Sequence, residues 1–408
     1  MFQRPLSTTA PVVRWVAFAI VIGLASGVLS AAFIGALNWA TTTRTSHDGF
    51  LFLLPLAGLA IGAAYHYGGR GLERGSNLVI EQIHGHSQWI PFRLTPLIFG
   101  ASVISHLAGA SVGREGAAIQ LAAGVTDPLS KKLGLPPMER SIMLITAIAG
   151  AFGSVFGVPV AGAIFALEVQ RVGRVRYEAL VPAFVASFLG DAVVRGIGMS
   201  HTHFPTMSRI NLDVSTLWKL VLFGCIAGVM SWAFIALTHY VRLTSGRLIP
   251  WYPARPLVGG ILLVIVIVAF GWRDYSGLSM ALALEAMNGS AAGQWGAKFA
   301  LTSLSIGMGF VGGEFIPLFV IGALAGASFA SITGSNIAVF ALLGSVAVLA
   351  GATNTPLACT VLGLELFGGY GLAWFAIVCV VAYTTSGNGS IYRTQIIRVP
   401  KNGRTQTS

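Results

Sequence analysis

The sequence predicts an all-α protein that crosses a membrane many times and is built from two similar halves. Three observations carry this prediction: an apolar composition, apolar runs of spanning length divided by short polar interruptions, and landmarks that recur 197 to 202 residues apart. Of 408 residues, 55% are apolar and 10% charged, whereas about a quarter of a soluble domain's residues are charged. Water cannot be the solvent for most of such a surface. The 51 glycines lie largely inside the apolar runs, as expected where helices approach closely or break within a bilayer, so the spans are helices and not barrel strands.

A helix crosses the hydrocarbon core with about 20 residues. Runs of this kind fall near 12–39, 50–67, 92–110, 138–153, 176–196, 214–242, 254–271, 294–311, 336–351 and 370–385. The first is too long for a signal-peptide core and reads as a retained helix. Shorter segments near 75–84, 113–125, 157–170, 277–287, 314–331, 354–367 and 389–398 begin with Gly or Pro and read as broken or half-crossing helices. The expected division is a tail over 1–11, a first membrane repeat over 12–210, a second over 211–398 and a polar tail over 399–408.

The repeat is visible in three landmarks. Pro159 leads to Glu168 and Pro356 to Glu365, nine residues on in each case. Gly113-Arg114-Glu115 pairs with Gly312-Gly313-Glu314, and the segment opening at Gly75 pairs with that at Gly277. Repeated halves with interrupted helices in corresponding places point to a substrate site at the membrane midplane, because unwound backbone survives there only when buried in protein or lining a cavity. Permeation is the function class this favours.

Other classes find less support. The net charge of +11 is scattered over loops and tails, at Lys131, Lys132, Arg171, Arg174, Arg176, Lys401 and Arg404, which positive-inside bias explains better than nucleic-acid binding. Cys225, Cys359 and Cys379 lie within apolar segments without paired spacing, so neither a disulfide scaffold nor a zinc site is expected. The His84/His86 and His201/His203 pairs lack a carboxylate or cysteine set that would complete a metal site. No nucleophile–base pair or His-Glu-x-x-His motif suggests an enzyme, and no cofactor is implied.

Glu115, in the stretch from Ser111 to Gln120, opens an apolar run just after a span. That position is a helix N-terminus, whose free N–H groups and positive dipole end bind anions. Flanking Gly113 and Gly116 allow close approach to the backbone. The Glu115 carboxylate is therefore a tethered competitor of a permeating anion. A carboxylate at this depth costs about 2.5–3.5 kcal/mol on insertion scales, and protonation would release it. The bland alternative is a salt bridge with Arg114, which is weakened by the fact that adjacent helical residues do not face one another.

Gly113-Arg114-Glu115-Gly116 is similar to the GREGP motif of the CLC family of chloride channels and halide/proton antiporters, with Ala117 in place of Pro. The run from Gly157 to Glu168 resembles that family's glycine-and-proline helix ending on Glu, and Gly312-Gly313-Glu314-Phe315-Ile316-Pro317 resembles its GGxFxP motif. The resemblance implies inverted-topology repeats with broken helices meeting at the midplane, and a homodimer with one pore per subunit. It implies Glu115 as the external gating glutamate, an anion site at Ser76, Gly113, Arg114, Gly116, Ala117, Phe315 and Ile316, with the Ser76 hydroxyl as a donor, and Tyr392 as the central tyrosine. The regulatory cytoplasmic domains of many animal members are not expected here.

Departures bear on substrate. Where chloride members carry GSGIP, this chain has Gly75-Ser76-Asn77-Leu78-Val79, and where bacterial chloride exchangers carry a second proton-transfer glutamate it has Val169. Glu314 stands where chloride members have an apolar or small residue. These features resemble the fluoride-exporting branch, although that branch commonly has Met at the place of Ser76. A protonated Glu314 would supply one O–H donor beside the anion, which suits fluoride; the alternative is a carboxylate capping its own helix. The implied function is fluoride export against protons in a bacterial inner membrane, with chloride/proton exchange or a chloride channel as the alternative.

Overall fold

The computed structural model describes residues 9–85, 88–208, 213–290, 293–397 and 401, so His86 and Arg404 lie outside the described residues. Among the described residues, eight α-helices form the first half: α1 (Thr9–Ser46), α2 (Leu54–Ala63), α3 (Ser76–Gly85), α4 (Leu94–Ala108), α5 (Glu115–Lys132), α6 (Pro137–Phe156), α7 (Pro159–Glu168) and α8 (Leu180–Gly196). The second half repeats the order in α9 (Val214–Leu248), α10 (Ala254–Phe270), α11 (Met280–Met287), α12 (Trp295–Gly307), α13 (Phe315–Thr333), α14 (Ile337–Thr353), α15 (Pro356–Phe367) and α16 (Leu372–Thr385). Each half opens on its longest helix, of 38 and 35 residues, and has a short third helix, of 10 and 8.

The same local chemistry breaks both chains before their seventh helix. Gly157 ends α6 in the left-handed region at φ 74°, and Pro159 restarts the chain at the first turn of α7. In the second half Asn354 takes that conformation at φ 59° and Pro356 opens α15. Asn is among the few residues other than Gly that tolerate this region, and a first-turn Pro loses no helical hydrogen bond.

The two restarted helices cap each other. Glu168 accepts the Leu357 and Ala358 N–H groups at 3.2 and 2.8 Å, while Glu365 accepts those of Val160 and Ala161 at 3.0 and 2.6 Å. Each carboxylate ends one helix and meets the free amides that open the other, where negative charge is favoured. Such reciprocity requires antiparallel helices related by a two-fold axis across them. With helices that traverse the bilayer, that axis lies in the membrane plane, and the two halves have inverted topology.

Packing places the middle helices inside and the long ones outside. The spanning window of α6 is 94% buried and that of α13 83%, against 50% for α1 and 44% for α9. Exposed Val21, Val28, Val229, Trp232 and Ile265 leave an apolar outer surface, the kind that lipid covers. Helices α13 and α14 approach so closely that a β-carbon at Gly322 would lie 2.1 Å from the Gly344 carbonyl oxygen. Small residues at such crossings let backbones meet in membranes.

Two expectations need correction. The segment expected near 389–398 is not a short helix over its described residues, 389–397: turns through Gly387, with φ 70°, lead to β2 (Ile396–Ile397), which pairs in parallel with β1 (Arg171–Val172). The Ile391 N–H instead donates to the Ala352 carbonyl at 2.9 Å. Helix α13 is not half-crossing either, since its 19 residues reach about 28 Å at 1.5 Å per residue and are apolar enough to span; α5 has 18 residues with Pro128 inside it.

Candidate functional site

The site forms where α5 and α13 begin. Gly113 and Gly313 make a two-way antiparallel bridge, each N–H donating to the other's carbonyl at 2.6 Å. The contact demands glycine: a β-carbon on Gly113 would lie 2.9 Å from Glu115 Oε2, and one on Gly313 2.8 Å from the Gly116 nitrogen. The bridge also fixes the repeat register at 200 residues, one more than the 199 inferred from the motifs. Arg114 is thus the counterpart of Glu314, and Glu115 of Phe315. Arg114 and Glu314 share one backbone conformation as N-caps, with φ −112° and −99°. The motif alignment had matched the two glutamates to each other because it matched letters, whereas the hydrogen-bonded pair matches positions.

Glu115 is 2% exposed. Its Oε2 accepts the N–H of Arg114 at 3.2 Å and that of Ile316 at 3.3 Å, so one carboxylate oxygen joins the N-termini of both helices. Its Oε1 has no hydrogen-bond partner among the described residues and lies 3.6 Å from Arg114 Nε. The Arg114–Glu115 ion pair therefore exists, contrary to the expectation that neighbours would not face each other. That rule holds inside a helix, and Arg114 precedes the first helical residue. Ala117 is wholly buried in the first turn of α5.

A cavity of about 290 Å³ reaches this junction and is lined by Ser76, Gly116, Gln120, Arg242, Glu314 and Tyr392, among others. Glu314 makes no side-chain cap hydrogen bond to α13, so the capping alternative fails and the carboxylate is left to the cavity. Ser76 opens α3 and donates its hydroxyl to the Gly116 carbonyl at 3.1 Å; the hydroxyl expected to be free for an anion has a protein acceptor in this state. Tyr392 is 6% exposed, and its ring lies 6.2 Å from Phe165. Phe315 packs edge-on to Phe152, Phe156 and Phe165 at 5.0, 5.2 and 5.8 Å. An aromatic wall therefore runs from Phe315 to Tyr392.

Sequence reasoning missed Gln120 and Arg242 as lining residues. Gln120 sits one turn beyond Gly116, and this spacing was a usable signal because i and i+4 share a helix face. Arg242 lies near the end of a 35-residue apolar helix and carried no such signal. The expected gating, anion and tyrosine residues come together around one junction. His84 and His201 do not join it: they meet the carbonyls of Gln170 at 3.0 Å and Ser154 at 2.9 Å.

The model of a family described as voltage gated chloride channel matches residues 57–387. The chain belongs to this family, the CLC proteins. It is similar, at 37% identity, to a chloride/fluoride channel protein of Pseudomonas syringae pv. tomato, with 99% of this chain and 91% of the relative covered. Its fold is similar to the crystal structure of a CLC-type fluoride/proton antiporter, with a TM-score of 0.91, 30% identity, and 97% and 100% of the two chains covered. A slow cyanobacterial Cl⁻/H⁺ antiporter shares the fold at a TM-score of 0.77 and 21% identity, over 91% and 94% of the chains. Val169, which the motif resemblance sets where chloride exchangers carry a second glutamate, is 1% exposed at the C-cap of α7, and its carbonyl accepts the Gln395 side-chain amide at 2.7 Å.

Proposed function

We propose that this CLC protein exchanges fluoride for protons, with Glu115 alternating between the anion's place and a proton-carrying state. The observation that carries the reading is the Glu115 carboxylate bound by the Arg114 and Ile316 amides. A negatively charged oxygen held by N–H groups at helix N-termini is where an anion binds. Protonation removes the charge that holds it there and opens the place to a halide. Glu314, uncapped and facing the cavity, is the second proton-handling group and the donor that favours fluoride. Gly113, Arg114, Gly116, Ala117, Phe315, Ile316 and Tyr392 surround the ion path.

Export fits the energetics. One fluoride leaving as one proton enters moves two charges down an inside-negative potential, about 4.6 kcal/mol per 100 mV, against about 2.3 for a channel. The similar chloride/fluoride channel protein and fluoride/proton antiporter support the halide and the proton. In this reading the protein resides in a bacterial inner membrane as a homodimer, with repeats over 12–210 and 211–398 and polar tails outside them. Neither a cofactor nor nucleic acid takes part. Chloride exchange is the second reading, favoured by Ser76 standing where the fluoride-exporting branch commonly has Met.

Purified protein in liposomes tests the choice. Fluoride and chloride effluxes are measured at fixed voltage while an electrode follows external pH. The expected result is faster fluoride efflux with proton uptake. Chloride efflux equal to or above that of fluoride would move the protein to the chloride reading.

A further inference from the structure

Three donors meet at the Gly116 carbonyl oxygen. The Ser76 hydroxyl reaches it at 3.1 Å and the Gln120 side-chain amide at 2.9 Å, and in the α-helix the same oxygen receives the backbone N–H of residue 120. A carbonyl oxygen has two lone pairs. One side-chain donor can therefore leave without orphaning the acceptor. Gln120 is 2% exposed, yet its Oε1 has no partner among the described residues. An enclosed amide with one group unsatisfied is poorly held, because a buried polar atom left unpaired is costly. Both side chains line the cavity that Glu314 and Tyr392 face.

We propose that Gln120 is an anion-binding residue that alternates with Ser76: when a small, hard halide enters, one of the two turns from the Gly116 carbonyl to the ion while the other stays. The inference rests on the fluoride/proton reading above. Gly116 makes the exchange possible, since a β-carbon there would stand 3.2 Å from Ser76 Oγ and hinder the hydroxyl's swing. The pair also accounts for a serine where the fluoride-exporting branch commonly has methionine: Gln120 supplies a donor whichever residue stands at 76.

Alternation predicts redundancy. Reconstituted wild type, Ser76→Met, Gln120→Met and the double variant are compared for fluoride KM and for protons moved per fluoride at saturating fluoride. Each single variant should raise KM by less than about twofold, and the double variant by about tenfold, the loss of one hydrogen bond to the ion. The proton ratio should stay at the wild-type value in all four, which also shows that they are folded. If the double variant does not reconstitute, Ser76→Ala with Gln120→Leu gives the same comparison with less added volume. Single effects that merely multiply to the double effect would overturn the alternation, as would a KM unmoved in the double variant. A wild type that moves fluoride without protons defeats the exchange reading itself and is seen before any variant is made.

Discussion

The openings of α5 and α13 have the same backbone and opposite chemistry. Both follow a glycine of the Gly113–Gly313 bridge, and both start from an N-cap of nearly the same conformation. At the N-cap the first half has Arg114 and the second Glu314; at the next residue the first has Glu115 and the second Phe315. The two helix N-termini face each other, and only the first carries a carboxylate that bonds to their amides. The Glu314 carboxylate, one residue earlier in the register, makes no cap bond to α13 and lines the cavity. In the exchange proposed above, Glu115 is the occupant of the anion's place and Glu314 the group that serves the passing ion.

Replacing Glu115 should break this division most severely. Glu115→Gln keeps the shape and the acceptor oxygen but cannot titrate, so fluoride-driven proton uptake should fall by at least roughly 100-fold, the scale of a lost positioned proton carrier. Its size-exclusion profile should match wild type. Proton uptake at the wild-type rate would remove Glu115 from the coupling step.

The bridge itself comes next. Gly313→Ala puts a β-carbon 2.8 Å from the Gly116 nitrogen, and overpacking of this kind costs about 1–3 kcal/mol. The two N-termini should separate, with slower transport and a lower thermal midpoint in detergent. Normal transport and stability together would mean that the close approach is not required.

Glu314→Gln sharpens the contrast between the two carboxylates. It should weaken the preference for fluoride over chloride or the proton ratio, by up to about tenfold for one hydrogen bond, while leaving the thermal midpoint unchanged. A lowered midpoint with unchanged selectivity would make Glu314 a structural group.

The mutual caps of α7 and α15 should show the smallest effect. Glu168→Gln and Glu365→Gln each leave one acceptor oxygen where there were two and turn an NH2 donor toward the second backbone N–H, a loss of about 1–2 kcal/mol. Thermal midpoints should drop slightly and by similar amounts, with the proton ratio intact. A collapse of coupling in Glu168→Gln alone would show that the reciprocal pair is functionally unequal.

Most of the fold was legible because apolar length and Gly/Pro punctuation are local signals. The restarts at Pro159 and Pro356 and the carboxylates nine residues on could be read directly. The conformation of residues 389–397 could not, since it depends on Ala352 and on strand pairing with Arg171–Val172, contacts distant in sequence. Within the site, the placing of Glu115 at free amides followed from the run of residues around it. Its bond to Ile316, 201 residues away, did not, and neither did the one-residue register that sets Arg114 against Glu314. The Gln120 amide bonds the carbonyl one turn back in its own helix, but the Ser76 hydroxyl that shares this carbonyl comes from 40 residues away.

The most direct measurement loads wild-type and Glu115→Gln vesicles with fluoride at symmetrical pH, clamps the voltage to zero and follows external pH. If Glu115 exchanges places with the anion, wild-type vesicles take up protons against the gradient that builds as fluoride leaves, and Glu115→Gln vesicles take up none. Fluoride efflux from wild type with no pH change, or equal proton uptake in both, would contradict the account.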